Sequence, residues 1–227
     1  MTDTVATLWA DVDRYITDLL VPADPALDAA IQSSVAEGLP QIHVAPNQGK
    51  FLHLLARIQG ARRVLEIGTL AGYSTIWLAR ALPPGGKVVT LEADAKHAQI
   101  ARANFARAGV AEQVELRLAP ALETLPKLAG EGGEPFDLIF IDADKPSIPD
   151  YFTWSLRLSR PGTVIVVDNV IREGGVVNAR SGDASVEGVR RFNEMLARES
   201  RVSATEIQTV GSKGYDGFAI ALVIAAS

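Results

Sequence analysis

Apolar side chains in the N-terminal segment recur at the spacing of an amphipathic helix. Leu8, Val12 and Ile16 are each separated by four positions, and this period predicts a helix that buries one face. Pro22 and Pro25 interrupt the pattern, so two helices are expected rather than one. The first part of the chain is therefore predicted to be helical, with a proline-containing loop after it.

Beyond residue 60, short apolar runs typical of strands alternate with helical patterns. The predicted strands are residues 63–67, 87–92, 114–118, 137–141, 163–168, 204–210 and 217–224. The predicted helices are residues 48–59, 74–81, 95–108, 121–129, 151–158 and 186–199, with a glycine-rich loop at 173–182. Strands that alternate with helices form parallel sheets with right-handed crossovers. The expected fold is α/β, with a seven-stranded, mostly parallel sheet, an antiparallel edge hairpin and helices on both faces.

Two of these strands end in carboxylates. Asp142 follows the run at 137–141, and Asp168 closes the run at 163–168 and is followed by Asn169. If the two strands are neighbours, they lie about 4.8 Å apart, and open α/β sheets bind ligands at these strand ends. The three side chains would then offer hard oxygen ligands at one point, where a divalent cation of the Mg²⁺ type neutralises the like charges. Helix caps or solvent-facing strand ends are the alternatives for the aspartates.

The first strand runs into a turn that contains two glycines. Glu66, Gly68 and Gly72 form a Glu-x-Gly-x-x-x-Gly pattern, and the next strand ends at Glu92. The pattern lacks the glycine spacing with which dinucleotide-binding proteins hold a pyrophosphate, and an acid at this place suits an ammonium or a sulfonium better than a phosphate. Glu92 stands where such folds hold ribose hydroxyls. The alternatives are glycines that only form a turn and a glutamate that ends a strand in solvent.

Composition narrows the classes of function. The 227 residues are 48% hydrophobic and 22% charged, with a net charge of −5, which fits one α/β domain and argues against a nucleic-acid groove. The absence of cysteine excludes disulfides, thiolate metal sites and cysteine nucleophiles. No signal-peptide pattern is visible, and the longest apolar run has nine residues. No membrane segment and a cytoplasmic location are therefore expected.

The arrangement of the glycine turn and Glu92 resembles that of the class I S-adenosylmethionine-dependent methyltransferases, which have a Rossmann-like fold. With the segments DLIFIDADK and VIVVDNV added, the chain resembles the cation-dependent O-methyltransferases of the caffeoyl-CoA and catechol type, from about residue 44 to residue 224. The resemblance implies a single methyltransferase domain over residues 1–227. In that domain, the helices and loop of residues 1–47 cap the active site, and residues 48–227 form the Rossmann-like core. It also implies a homodimer.

The resemblance implies roles for individual residues. The cofactor-binding residues that it implies are Val44, Glu66, Gly68, Thr69, Gly72, Ser74, Glu92, Ala121, Asp142 and Asp144. Within this set, Glu66, Gly68 and Ser74 surround the methionine part of S-adenosylmethionine, Glu92 holds the ribose and Ala121 flanks the adenine. The implied ligands of the divalent cation are Asp142, Asp168 and Asn169, with Mg²⁺ as the expected ion and Mn²⁺ or Ca²⁺ as alternatives. Lys145 matches the lysine that accepts the proton.

The chemistry of methyl transfer to a hydroxyl explains why such groups are needed. A phenolic hydroxyl has a pKa of about 10 and is a poor nucleophile at neutral pH. A chelating divalent cation lowers that pKa and fixes the oxygen in line with the methyl group. A partly buried lysine next to a cation loses its proton more easily and can then act as the base. A surface lysine is the alternative for Lys145, and a cap of the following turn is the alternative for Asp144.

The loop after the second acid-terminated strand bears on the acceptor. Plant caffeoyl-CoA enzymes carry Trp-Asn in this loop, whereas here Arg172 precedes Glu173 at the asparagine's position. This difference favours a smaller polar catechol, contacted by Arg172 or Glu173, over a CoA thioester. Three other functions compete: a nicotinamide-dependent oxidoreductase, a non-catalytic protein that binds S-adenosylmethionine, and a nucleic-acid methyltransferase. The last usually needs a basic groove, and its base-amino type needs an Asn/Asp-Pro-Pro-aromatic motif; the sequence has neither.

Overall fold

The structure is a computed structural model, and it describes residues 3–225. The helices are α1 (Asp3–Leu20), α2 (Pro25–Ala36), α3 (Pro46–Gln59), α4 (Tyr73–Ala79), α5 (Ala95–Arg107), α6 (Ala121–Gly130), α7 (Ile148–Arg157) and α8 (Ala184–Arg198). The strands are β1 (Arg63–Ile67), β2 (Lys87–Glu92), β3 (Val114–Leu118), β4 (Phe136–Ile141), β5 (Ser159–Asp168), β6 (Val202–Gly211) and β7 (Gly214–Val223). Short 3₁₀ helices cover Ala111–Gln113, Lys145–Ser147 and Arg172–Val177.

The predicted order of helices and strands is confirmed, and the differences are local. Helix α3 starts at Pro46 and α7 at Ile148, earlier than predicted, because a proline occupies the first turn of each helix, where its missing N–H costs no hydrogen bond. The segment at 173–182 was expected to be a loop. Its first part instead forms the 3₁₀ helix Arg172–Val177, which contains residues in a left-handed conformation.

The seven strands form one sheet in the order β3-β2-β1-β4-β5-β7-β6. The pairs β1/β2, β2/β3 and β4/β5 are parallel, whereas β7 runs antiparallel to both β5 and β6. The expected edge hairpin is therefore β6–β7, and the predicted mostly parallel sheet is confirmed. In the β4/β5 pair, Ile141 lies opposite Val167, so the acids that follow these two residues occupy matching positions at the strand ends.

The chain divides into two compact units. Arg14–Thr124 form one unit, and the described residues before Arg14 form the other together with the described residues from Leu125 onward. The unit that begins at Arg14 contains β1, β2 and β3, and its strand residues Val64, Leu65 and Val88 have no exposed surface. The boundary predicted at residue 47 and the single domain stay predictions.

The other unit is built on β4, β5, β6 and β7. Strand β4 is buried along its whole length, as expected for a strand that is covered on both faces. Helices α7 and α8 pack together through Phe152 and Phe192, whose rings meet edge to face with centroids 5.3 Å apart. Within the described residues, no helix is both long and apolar enough to cross a membrane.

Gly49→Ala is expected to destabilise the unit that holds α3 and α4. A Cβ at Gly49 would lie 2.4 Å from Cδ1 of Trp77, and overpacking of this kind costs about 1–3 kcal/mol. Urea denaturation followed by tryptophan fluorescence measures the loss. Gly130→Ala is the control, because Gly130 ends α6 in open space. Equal stability of Gly49→Ala and the unchanged protein would contradict the close contact between α3 and α4.

Candidate functional site

The carboxylate of Glu66, at the end of β1, is fully buried. It accepts hydrogen bonds from the hydroxyls of Ser74 at 2.6 Å and Thr90 at 2.7 Å, and from the hydroxyl of Thr75. Ser74 and Thr75 lie in the first turn of α4, so Glu66 fixes the start of that helix against the sheet. This position favours an indirect role, in which Glu66 orients Ser74. The predicted contact of Glu66 with the cofactor stays a prediction.

Glu92, at the end of β2, is only 9% exposed, so the alternative of a strand end in solvent is wrong. Its Oε2 accepts the backbone N–H of Leu70 at 2.8 Å and of Thr69 at 3.3 Å, while Oε1 accepts those of Ala93 and Asp94 at 3.0 and 2.9 Å. Four amides thus hold one carboxylate, which ties the loop after β1 to the loop after β2.

The glycines of the turn are required by its shape. Gly68 and Gly72 have φ values of 99° and 83°, which other residues rarely adopt. A Cβ at Gly72 would also lie 2.3 Å from Cε1 of Phe105 on α5. Both glycines therefore form the turn, and the turn leads the backbone from β1 to the start of α4. Their contact with a cofactor stays a prediction.

The other predicted cofactor residues of this unit differ in exposure. Val44 is buried in the loop before α3, and Thr69 is buried with its hydroxyl 2.6 Å from that of Thr90. Ala121 is the first residue of α6 and is half-buried. Thr90 was not among the predicted site residues. It links Thr69 to Glu66, and its place inside β2 carried no signal in the sequence.

Asp142, directly after β4, and Asp168, the last residue of β5, are both confirmed at the ends of neighbouring strands. Asp168 is 6% exposed, which excludes a solvent-facing position, and its Oδ1 accepts the backbone N–H of Asn169 at 2.9 Å. Asp142 is more accessible, and its Oδ1 lies 2.9 Å from Nζ of Lys145. The side chain of Lys145 is 11% exposed, so the alternative of a surface lysine is wrong.

The backbone that carries Lys145 is held by helix α8. A Cβ at Gly188 would lie 2.4 Å from the carbonyl oxygen of Lys145, so only a glycine lets the helix come this close. Nη2 of Arg191 donates to the carbonyl oxygen of Pro146 at 3.1 Å. Gly188 and Arg191 were not among the predicted site residues, because their importance depends on how α8 packs.

Asp144 is exposed and precedes the 3₁₀ helix Lys145–Ser147, but its side chain makes no capping hydrogen bond. It accepts a hydrogen bond from the hydroxyl of Tyr151 instead. Burial, followed by the bond to Asp144, raises the pKa of Tyr151 well above its ordinary value, so this phenol stays protonated and donates. The pair connects the loop after β4 to helix α7.

Backbone strain is concentrated in the loops that follow β1 and β5. Among the described residues, the non-glycine residues with positive φ are Leu70, Asn169, Arg172 and Glu173. Each lies within six residues of a strand end that was predicted to carry site residues. Strained conformations of this kind cluster at active sites and ligand clamps. This distribution is independent structural support for the two candidate regions.

The donor set suits a hard cation. Asp142, Asp168 and Asn169 offer two carboxylates and one amide oxygen, the ligand types that Mg²⁺ favours when water and substrate complete its shell. Within residues 3–225, no group of three or more His, Cys, Asp or Glu residues could hold a metal ion. A site on these three residues therefore relies on Asn169 as its third protein ligand. Sulfur and imidazole, which favour zinc or copper, are not part of the set.

Comparison with known proteins decides the family. Residues 21–222 match the O-methyltransferase family. The chain belongs to the O-methyltransferase family. Its sequence is 56% identical over 216 residues to the catechol O-methyltransferase of Niastella koreensis, covering 95% of this chain and 98% of the relative. The catechol O-methyltransferase of Mycobacterium tuberculosis is 57% identical over 213 residues, covering 94% of this chain and 95% of the relative.

Solved structures agree with the fold of this O-methyltransferase. An O-methyltransferase from Bacillus cereus, solved in complex with SAH, is 58% identical and has a TM-score of 0.95, covering 96% of this chain and 99% of that one. The O-methyltransferase TomG from Streptomyces achromogenes, involved in tomaymycin synthesis and solved in complex with SAM, is 54% identical and also has a TM-score of 0.95. It covers 99% of this chain and 100% of its own. The predicted Rossmann-like methyltransferase fold and enzyme class are confirmed, which leaves the nicotinamide-dependent alternative without support.

Proposed function

We propose that this O-methyltransferase transfers the methyl group of S-adenosylmethionine to a hydroxyl of a small catechol-type acceptor that a divalent cation chelates. The observation that carries the proposal is the pairing of β4 with β5, in which Ile141 opposite Val167 brings Asp142 and Asp168 to matching strand ends. Mg²⁺ is the expected ion, with Mn²⁺ or Ca²⁺ as alternatives. The names of the bacterial relatives support a catechol acceptor.

S-adenosylmethionine as the donor is supported by the solved relatives in complex with SAH and SAM. The cofactor supplies an electrophilic methyl group on a sulfonium. The loop after β1 suits such a ligand, since its glycines allow close approach of the backbone and Glu66 anchors Ser74 beside them. Glu92 offers the acidic group expected beside ribose hydroxyls. Val44, Thr69 and Ala121 complete the proposed cofactor contacts of this unit.

The proposed cation ligands are Asp142, Asp168 and Asn169. A bound divalent cation supplies Lewis acidity that makes an acceptor hydroxyl easier to deprotonate. Asp168 is held in place by the sheet and by the N–H of Asn169. Lys145 is the proposed proton acceptor, since its Nζ lies beside Asp142. In the proposed reaction, the amine of Lys145 takes the proton that the hydroxyl loses.

The acceptor is proposed to be smaller than a CoA thioester. Arg172 and Glu173 follow the proposed cation ligands in the 3₁₀ helix Arg172–Val177, and both carry polar groups that suit hydroxylated aromatic molecules. A homodimer and a cytoplasmic location stay predictions.

Methyl transfer from labelled S-adenosylmethionine to a panel of catechols tests the proposal. Turnover is expected with Mg²⁺ and is expected to fall to background after EDTA, because the cation holds and activates the hydroxyl. A panel of monophenols is the control, since they lack the second oxygen that chelation needs. Full activity in EDTA would refute the proposal that a divalent cation is required. Binding of S-adenosylmethionine without turnover on any catechol would refute the proposed acceptor and leave the proposed methyl donor in place.

A further inference from the structure

The proposed cation ligands Asp168 and Asn169 lie where β5 leaves the sheet. Asp168 is still paired with β7, opposite Phe218. Asn169 then adopts a left-handed φ of 60°, and the chain turns away from the regular ladder. The backbone N–H of Val170 donates to the carbonyl oxygen of Gly217 at 3.1 Å. Strand β7 therefore holds the residues on both sides of Asn169.

The carboxylate of Asp216 on β7 accepts hydrogen bonds from backbone N–H groups that follow the end of β5. Its Oδ1 accepts the backbone N–H groups of Ile171 at 3.0 Å, Arg172 at 2.9 Å and Gly217 at 3.0 Å. Its Oδ2 lies 3.6 Å from Nη1 of Arg172. Hydrogen bonds to an ionised acceptor are about twice as strong as neutral ones. One side chain thus holds the backbone that directly follows the proposed cation ligands.

The loop needs such support because its conformation is costly. Arg172 and Glu173 have φ values of 52° and 55°, a left-handed conformation that is unfavourable for residues other than glycine. Strained residues persist only where the surrounding structure determines them. Gly217 contributes by being small, since a Cβ there would lie 2.6 Å from Cγ1 of Ile171. The loop therefore lies directly against β7.

We propose that Asp216 is a positioning residue for the cation site. By holding the amides of Ile171 and Arg172, it fixes the turn at Asn169 and thereby the direction of the Asn169 side chain. The inference rests on the proposed function, because it assumes that Asn169 binds the cation. Asp216 acts through the backbone and is not itself a ligand.

Asp216→Ala is expected to weaken Mn²⁺ binding by about 10- to 100-fold, the usual effect of losing a residue that orients a metal ligand. Mn²⁺ alone is titrated into the full-length protein, and the free ion is counted by electron paramagnetic resonance. The affinity for SAH, measured by calorimetry, is expected to stay unchanged. Hydrogen exchange in residues 169–175 is expected to accelerate, because two amides lose their acceptor.

Asp13→Ala is the matched control. The carboxylate of Asp13 accepts the backbone N–H of Ser212 at 2.7 Å in the β6–β7 turn, so its loss removes a similar bond from the same hairpin without touching the loop after β5. Asp216→Asn keeps the size and one oxygen, and an intermediate loss is expected even if Asp216→Ala does not fold. Unchanged Mn²⁺ affinity in the folded Asp216 variants would overturn the role of Asp216 and leave the proposed cation site standing. No Mn²⁺ binding by the unchanged protein would overturn both the proposed cation site and the role of Asp216.

Discussion

Asp168→Asn is expected to lower kcat/KM for a catechol by on the order of 10³-fold at a fixed Mg²⁺ concentration. The amide keeps the size of the side chain and can still accept the N–H of Asn169, which Asp168 holds at 2.9 Å. What it loses is the negative charge that the proposed cation site requires. Lewis-acid stabilisation contributes several kcal/mol, and each 1.36 kcal/mol is about tenfold in rate. Initial rates over a range of Mg²⁺ concentrations measure the effect.

The same series separates loss of the cation from loss of structure. Asp150→Asn is the control, since Asp150 is an exposed acid in the first turn of α7, in the same unit. It is expected to behave like the unchanged protein. Asp168→Asn is expected to need more Mg²⁺ while SAH binds as before. A variant with an unchanged Mg²⁺ requirement would show that Asp168 does not bind the ion.

Lys145→Ala is expected to lower kcat by about 10²- to 10⁴-fold, the range for the loss of a general base, with little change in affinity for S-adenosylmethionine. Lys145→Arg sharpens the test. Arginine keeps a positive charge that can pair with Asp142, but it does not lose its proton in proteins. An equally strong loss in Lys145→Arg is therefore expected if Lys145 accepts the proton. Single-turnover rates measure the chemical step in both variants.

A structural role for Lys145 gives the opposite pattern. If its ammonium only neutralises Asp142, Lys145→Arg retains most activity, and that result would remove Lys145 as the base. Lys127→Ala is the control, because Lys127 is an exposed lysine on α6. The two sets of variants are also distinguishable from each other, since extra Mg²⁺ is expected to restore activity to Asp168→Asn but not to the Lys145 variants.

The fold was predictable because its physical causes are local. A strand such as β4 that is buried on both faces needs a continuous apolar run, and Leu138, Ile139 and Phe140 supply it. Helices begin at prolines and capping acids: the carboxylate of Asp94 accepts two amides at the start of α5. Such preferences act over a few residues, so they are visible without knowledge of the rest of the molecule.

Residues that support the site were not predictable, because their role depends on residues far away in the chain. Thr90 is one of several threonines in apolar runs, and its bond to Glu66 spans 24 positions. Asp216 follows Tyr215 in a segment with no motif, yet it reaches Arg172, 44 positions earlier. Gly188 matters only because α8 lies on the backbone of Lys145. Nothing in the local pattern distinguishes these residues from others of their type.

The sequence by itself determined where strands end and which acids stand there, since a buried strand requires a continuous apolar run and the acids mark where that run stops. It therefore placed Asp142, Asp168 and Glu92 at strand ends. Only the tertiary structure decided which of these ends are neighbours and which side chains hold them. Strand pairing and loop support arise from contacts between distant segments, and no periodicity in a single segment records them.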